Sequence, residues 1–214
     1  MFASPRMKPR HVRPALAHLR RCDPVLAQVI ERVGPCRLEL RTEGTHFHAL
    51  LRSVLFQQLS GGAARTIHER LRALYGGRDP TPAELLATDE AALRAAGISR
   101  QKQTYLRDLA AHVADGRIDL ERIDVLDDEA IVERLTRVKG VGEWTVQMFL
   151  LFRLGRPDVL PCADLGVQKA IQRAWGLPAL PRPKEVAAIG TPWRPFASVA
   201  SWYLWRSLEV VTPG

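Results

Sequence analysis

A glycine turn and a single carboxylate are the features of this sequence whose residue types and spacing could carry chemistry. Gly140 and Gly142 lie between two segments of helical periodicity, at about 129–138 and 144–154. Glycines there permit positive φ and let a ligand approach the bare backbone, while the second helix begins with unpaired N–H groups and a positive dipole end. These are the components of an anion site. The structural alternative is a plain helix–helix connection with a glycine cap.

The carboxylate is Asp164, which directly precedes another helical segment, 165–175. A carboxylate can stabilise a developing cation and can orient or deprotonate a water molecule. Because aspartate is also a common helix N-cap, a purely structural use of Asp164 is the alternative. Asp158 is a second carboxylate in the same stretch, and we interpret it as a loop or cap residue.

The elements that must position these residues are helices, and the predicted fold class is all-α. Proline near helix starts, with Ser, Thr or Asp before them, marks the boundaries consistently. Residues 1–10 lack periodicity and are expected to be a flexible start. Only 38–41 is strand-like, and it is short. The predicted helices cover residues 14–21, 24–33, 46–59, 62–75, 82–86, 90–95, 100–113, 129–138, 144–154, 165–175, 183–189 and 193–210.

The charge of the chain favours a polyanionic partner. Its 214 residues include 31 Lys and Arg against 23 Asp and Glu, a formal net charge of +8. Most of the basic residues are arginines, which suit bidentate phosphate contacts, although an arginine bias can also reflect genome composition. A basic protein that binds no nucleic acid is the alternative. The length allows one or two compact units.

Cysteine spacing and hydropathy argue against several other classes of protein. Cys22, Cys36 and Cys162 are scattered and have no C-x-x-C spacing, which argues against a disulfide framework or a zinc site. The six histidines show no metal-ligand spacing. No apolar run approaches the ~20 residues that cross a bilayer, and the N-terminus lacks a signal-peptide core. We therefore expect a soluble, cytoplasmic protein.

The order of the motifs resembles that of one DNA repair superfamily. The motifs are, in chain order, 54–60, Gly97-Ile98-Ser99 with Lys102, 135–145, 158–166, 193–195 and 202–206. Together they resemble the helix-hairpin-helix, Gly/Pro-Asp (HhH-GPD) DNA glycosylases, and within them the 3-methyladenine DNA glycosylase II (AlkA) family. The resemblance spans roughly residues 45 to 208.

This resemblance implies a two-lobed helical fold around a cleft. Residues 11–60 and 165–214 would form one lobe, and 61–164 would form the other, with the hairpin at about 129–154. Relatives often carry an additional N-terminal β-rich domain, for which the residues before the first motif are too few. We therefore expect a compact form of the family.

The resemblance also implies an activity, the removal of 3-methyladenine and 7-methylguanine from duplex DNA to leave an abasic site. Asp164 matches the catalytic position, and one carboxylate suffices because an alkylated purine is cationic and departs without strong acid help. Trp144 stands where bifunctional relatives place a lysine nucleophile, which predicts no AP-lyase activity. Alternatives are a glycosylase for deaminated, mismatched or oxidised bases, and a non-catalytic DNA-binding module.

Residues for holding the flipped base and filling the gap follow from the same resemblance. Trp202 matches the base-stacking tryptophan and Trp144 is a further pocket residue, since a cationic purine is well held between aromatic faces. Met148 stands where some relatives place a tyrosine, and it would soften one wall of the pocket. Core packing is the alternative for the tryptophans, and Trp205 is expected to pack. The DNA wedge is predicted at Gln58 with Gln57, whose amides could instead simply bond across the turn.

The hairpin is expected to contact DNA phosphate through the amides of Gly140, Gly142 and Thr145 and through Lys139. By resemblance, it is also a candidate site for a structural Na⁺ or K⁺.

The ion would bind the backbone carbonyls of Thr136, Val138 and Val141. An iron–sulfur cluster of the endonuclease III type is excluded, because no cysteine follows Cys162. The expected partner is double-stranded DNA containing alkylated bases, and the protein is expected to be a monomer.

Overall fold

A computed structural model describes residues 9–209, and the all-α prediction is confirmed there: this range holds twelve α-helices and no strand. The helices are α1 Pro9–Cys22, α2 Pro24–Val33, α3 His46–Phe56, α4 Gly61–Ala73, α5 Pro82–Ala87, α6 Glu90–Ala95, α7 Arg100–Ala114, α8 Asp128–Leu135, α9 Glu143–Phe149, α10 Leu165–Trp175, α11 Pro183–Gly190 and α12 Ala197–Ser207. A π-helical segment, Leu150–Leu154, continues α9. None of the described helices is both long enough and apolar enough to cross a membrane.

Three helices, α2, α6 and α10, have the predicted bounds. The Asp23 carboxylate accepts hydrogen bonds from the N–H groups of Val25 and Leu26, at 2.9 and 3.0 Å, and so caps α2. At its C-terminal end, α10 is followed by Gly176, which takes the left-handed conformation, with φ of 64°.

Helix α3 is shorter than predicted, which matters for the predicted wedge. It ends at Phe56, because Gln57 is extended, with ψ of 134°, and Gln58 has a positive φ of 56°. A residue in the left-handed conformation cannot continue a right-handed helix.

Helix α12 begins later than predicted, at Ala197. The segment Thr191–Trp193 forms a 3-10 turn instead, and Arg194 is extended, with ψ of 140°. A residue that precedes a proline, here Pro195, is pushed out of the helical region by the proline ring.

The two predicted non-helical stretches differ from the structure in part. Of the predicted flexible start, residues 1–8 lie outside the described residues, whereas Pro9 and Arg10 already belong to α1. The strand-like stretch 38–41 lies in a segment without regular structure.

The first of two compact units, Arg41–Phe149, contains helices α3 to α9. Helix α3 packs against α4 and α7, and α5 lies along α7. The buried face of α3 carries Leu50, Leu51, Val54 and Leu55. Helix α7 is therefore the shared support of this unit.

The second unit comprises, among the described residues, 9–40 and 150–209. Helix α12 packs against α10, α2 and α1, and most of its residues are buried. The Tyr203 hydroxyl donates to the Gly34 carbonyl at 2.9 Å, and burial raises the pKa of Tyr203 to about 12.

The units do not have the boundaries of the predicted lobes. In the prediction, the chain passes from one lobe to the other after residue 60 and again after residue 164. Residues 41–60 lie with the hairpin because α3 packs on α4 and α7. Residues 150–164 lie with α12, where the Ser198 hydroxyl donates to the Arg156 carbonyl at 2.6 Å and accepts from the Val159 N–H at 2.9 Å.

Candidate functional site

Asp164 occupies the N-cap position of α10. Its Oδ1 atom accepts a hydrogen bond from the Val167 N–H at 2.8 Å and a second from Nε1 of Trp205, also at 2.8 Å. The residue is half-buried, and Leu165 beside it is exposed. The N-cap alternative is therefore realised, and it is compatible with chemistry because capping holds the carboxylate in one place at an accessible position.

Trp205 is a site residue that the sequence analysis missed. It was expected only to pack, and its ring does stack on Phe152, with centroids 5.8 Å apart and an interplanar angle of 27°. The signal available in the sequence was Gly166. A Cβ atom there would lie 3.0 Å from Asp164 Oδ1 and 3.0 Å from Trp205 Cδ1, so the close approach requires glycine.

Asp158, the rival carboxylate, lies in a loop and bonds to the start of α12 and to an arginine, as its sequence interpretation expects. Its Oδ1 accepts from the Ala197 N–H at 3.3 Å, at the start of α12. Its Oδ2 accepts from Arg194 Nε at 2.7 Å. Both oxygens of Asp158 are thus engaged in holding the loop before α12.

The two hairpin glycines, which lie between α8 and α9, have different roles. Gly140 has a φ of 78°, and a Cβ atom at this position would lie 2.2 Å from the Tyr105 ring. Gly142 has no heavy atom within 4 Å of its Cβ position and is exposed. Gly140 is therefore required by internal packing, whereas Gly142 leaves its backbone open to a ligand.

The other predicted phosphate contacts also lie in this hairpin. Lys139 has an exposed side chain, and its backbone N–H donates to Asp108 Oδ2 at 2.8 Å. Thr145 is buried in the first turn of α9, where the amides have no partner within the helix.

The cation site at the carbonyls of Thr136, Val138 and Val141 stays a prediction. The Val138 carbonyl accepts from the Val141 N–H at 3.0 Å, which occupies one of its two lone pairs. Among the described residues, no group of three or more His, Cys, Asp or Glu side chains could hold a metal ion.

The turn after α3 separates the two predicted wedge residues. The Gln57 amide nitrogen donates to the Gly140 carbonyl at 2.9 Å and to Thr145 Oγ1 at 3.4 Å, so this side chain ties the turn to the hairpin. Gln58 is exposed in its left-handed conformation. Of the pair, only Gln58 has a side chain that projects into solvent.

Helix α7 supports both the turn and the hairpin through one side of its surface. Lys102 Nζ donates to the carbonyls of Leu55 and Gln57, and burial lowers the pKa of Lys102. Three residues further on, Tyr105 packs against Gly140, and three beyond that, Asp108 binds the Lys139 N–H. Spacings of three residues place these side chains along one stripe.

The predicted pocket residues differ in how exposed their side chains are. Trp202 is 6% exposed and packs edge-on against Tyr203, with centroids 4.9 Å apart. Trp144 is 48% exposed, and Met148, four residues later on α9, is half-buried. A place in the base-binding pocket stays a prediction for all three.

The chain matches the model of a known protein superfamily. The model of the HhH-GPD superfamily of base excision DNA repair proteins matches residues 51–195. The chain belongs to this superfamily. The HhH-GPD match includes the turn after α3, the hairpin and Asp164, and it ends before Trp202 and Trp205.

Similar HhH-GPD relatives come from Schizosaccharomyces pombe. The chain is 34% identical over 196 residues to DNA-3-methyladenine glycosylase 1, covering 90% of this chain and 86% of the relative. It is 29% identical over 192 residues to alkylbase DNA glycosidase-like protein mag2, covering 88% and 90%. The structure of 3-methyladenine DNA glycosylase (Mag1) in complex with abasic DNA has a TM-score of 0.81 at 33% identity, covering 92% of this chain and 97% of that chain.

Proposed function

We propose that this HhH-GPD protein is a monofunctional DNA glycosylase that flips alkylated purines, chiefly 3-methyladenine and 7-methylguanine, out of duplex DNA and hydrolyses the N-glycosidic bond. The observation that carries the proposal is the half-buried Asp164 carboxylate, fixed by two N–H donors at the start of α10. The names of the S. pombe relatives, a 3-methyladenine glycosylase and an alkylbase glycosidase-like protein, support the same substrate class.

The chemistry needs one well-placed anion. As the C1′–N9 bond breaks, its electron pair neutralises the cationic purine and leaves oxocarbenium character on the sugar. Asp164 stabilises this cation, and because its position is already fixed, little reorganisation opposes the reaction. Water adds to C1′, and its proton passes to the carboxylate or to solvent. Alkylation of the base supplies the leaving-group activation that a second carboxylate would otherwise provide.

The hairpin and the turn after α3 are the segments that bind DNA. The open backbone at Gly142 and the first-turn amides of α9, including that of Thr145, contact a phosphate, and the exposed Lys139 ammonium adds charge. Gln58 is the wedge that fills the gap left by the flipped nucleotide. Gln57 keeps a structural role, because its amide is bonded to the hairpin.

The flipped base stacks against aromatic residues. The Trp144 ring is the more exposed of the two tryptophans, and Met148 lies on the same side of α9 as Trp144. Trp202 contributes a smaller edge, since it is nearly buried. A cationic purine is favoured by the negative faces of such rings.

The protein cleaves no DNA strand by β-elimination. Trp144 occupies the place of the lysine nucleophile in bifunctional relatives, and an indole forms no Schiff base. Borohydride treatment of the reaction would trap no protein–DNA adduct. A trapped adduct that depends on Lys139 would contradict this part of the proposal.

The protein acts as a monomer on genomic DNA within the cell and uses no iron–sulfur cluster. A Na⁺ or K⁺ ion in the hairpin would stabilise the conformation of its backbone.

A panel of duplexes, each with one methylated, deaminated, mismatched or oxidised base, tests the substrate class. We expect release of methylated purines alone to exceed the spontaneous rate. If only another kind of base is released, that base is the substrate and the proposed substrate class is wrong. If no base is released and binding does not depend on the lesion, the result favours the non-catalytic DNA-binding module.

A further inference from the structure

The hydrogen bond between the Trp205 indole and the Asp164 carboxylate points to a function for Trp205 in the reaction. We propose that Trp205 is a positioning residue, which holds the Asp164 carboxylate in its working orientation; this proposal rests on the function proposed above. Trp205 acts through Asp164 and touches no reacting atom itself.

Two donors converge on one oxygen of Asp164 from different helices. The Val167 N–H approaches from α10 at 2.8 Å, as for an ordinary N-cap, and the indole N–H approaches from α12, also at 2.8 Å. An N-cap bond alone fixes the carboxylate with respect to its own helix. The second bond ties it to α12, which packs directly against α10 in the same unit. The carboxylate is therefore held with respect to the core of the unit.

An indole suits this task because it is a donor that cannot accept a proton. Its Nε1–H only donates, so it leaves Asp164 as the acceptor. The ring itself is held by stacking on Phe152, at 5.8 Å and 27°, and it packs at the margin of the core cluster that contains Trp202 and Tyr203. A ring held on its face delivers its N–H along one direction.

Gly166 is a second, independent sign that this arrangement is tight. A side chain at this position would meet both partners of the hydrogen bond, with its Cβ 3.0 Å from Asp164 Oδ1 and 3.3 Å from Trp205 Nε1. Glycine is unfavourable inside a helix, so its presence in the first turn of α10 fits the need for this close approach.

The test separates orientation of the carboxylate from general packing. Trp205→Phe keeps an aromatic ring against Phe152, and it removes the N–H donor together with part of the ring, a loss of ring size that the control variant Trp175→Phe shares. Single-turnover release of 7-methylguanine from duplex DNA, with enzyme in saturating excess, should fall at least about 10-fold, as expected for losing a hydrogen bond to a charged group. Affinity for a duplex containing a tetrahydrofuran abasic-site analogue should stay within about 2-fold.

Trp175→Phe is the matched control. Trp175 packs on Trp193 with centroids 5.8 Å apart, in the same unit, but it lies eleven residues from Asp164, or about 16 Å along α10. We expect release within about 2-fold of the unsubstituted protein for this variant. Gly166→Ala provides a second route to the same interaction, and it should lower the release rate without weakening DNA binding.

Two results would overturn the proposal. One is unchanged release by both Trp205→Phe and Gly166→Ala while Asp164→Asn is inactive. The other is an equal loss of rate and affinity in these variants, which would mean a structural role. If Asp164→Asn itself releases base normally, the proposed function fails first, so the two failures are distinguishable.

Discussion

The hairpin region of the first unit and the Asp164 region of the second unit are positioned in opposite ways. In the hairpin region, side chains from α7 and from the turn after α3 hold backbone atoms in place, and the groups proposed to meet DNA are mostly backbone amides. Around Asp164, the proposed working group is a side chain, held by one backbone N–H and one indole. The first arrangement should depend on backbone conformation, and the second on single side-chain atoms.

The largest expected effect on stability tests whether the hairpin region depends on its backbone conformation. Gly140→Ala places a methyl group 2.2 Å from the Tyr105 ring at a φ of 78°. We expect a loss of about 2–4 kcal/mol in the free energy of unfolding, from strain and overpacking together. Urea denaturation measures it. Gly142→Ala, where the space is open, is the control and should cost about 0.5 kcal/mol or less while weakening DNA binding. Equal stability losses in the two variants would contradict the assignment of different roles.

A smaller, two-sided effect separates the glutamines that follow α3. Gln57→Ala removes the bonds to Gly140 and Thr145 and should cost about 1–2 kcal/mol of stability. Gln58→Gly relieves the left-handed conformation and should gain about 0.5 kcal/mol, while base release falls because the wedge is lost. Thermal unfolding and single-turnover release, measured on both variants, check this. A stable Gln57→Ala with poor release would exchange the two roles.

The smallest effect concerns acid and a residue outside both regions. Hydrogen bonds from Arg78 and from Thr81 lower the pKa of the partly exposed Glu84 to about 2 from an ordinary value of 4.5. A depressed pKa in the folded state adds stability above the unfolded-state value, and this is lost as the pH falls from 4.5 towards about 2.

Glu84→Gln should therefore lose less stability than the unsubstituted protein between about pH 6 and about pH 3. The measurement is the urea midpoint at both values. An unchanged difference between the two midpoints would show that Glu84 contributes nothing to acid sensitivity.

The features that could be predicted from the sequence are those that nearby residues determine. The all-α fold class and the bounds of α2 and α10 follow from caps and periodicity, because those signals act within a few residues. The end of α3 was placed three residues too late, since Gln58 carries no sequence mark of a left-handed conformation.

Tertiary features were harder to predict. Asp164 could be found from its motif, but the Trp205 bond depends on how α10 and α12 pack, which periodicity does not specify. The unit boundaries were missed for the same reason, because packing of α3 on α4 and α7 decides them. Gly166, like Gly140, is a residue whose identity depends on such packing.

The proposed chemistry depends on the Asp164 carboxylate, and the Asp164→Asn variant is the direct test of that dependence. Asparagine is as good an N-cap as aspartate, so α10 should stay intact while the negative charge is lost. We expect release of methylated purines to fall about 100-fold or more with DNA affinity retained, and Asp158→Asn, the matched control, to keep release. Release by Asp164→Asn at the rate of the unsubstituted protein would contradict the account.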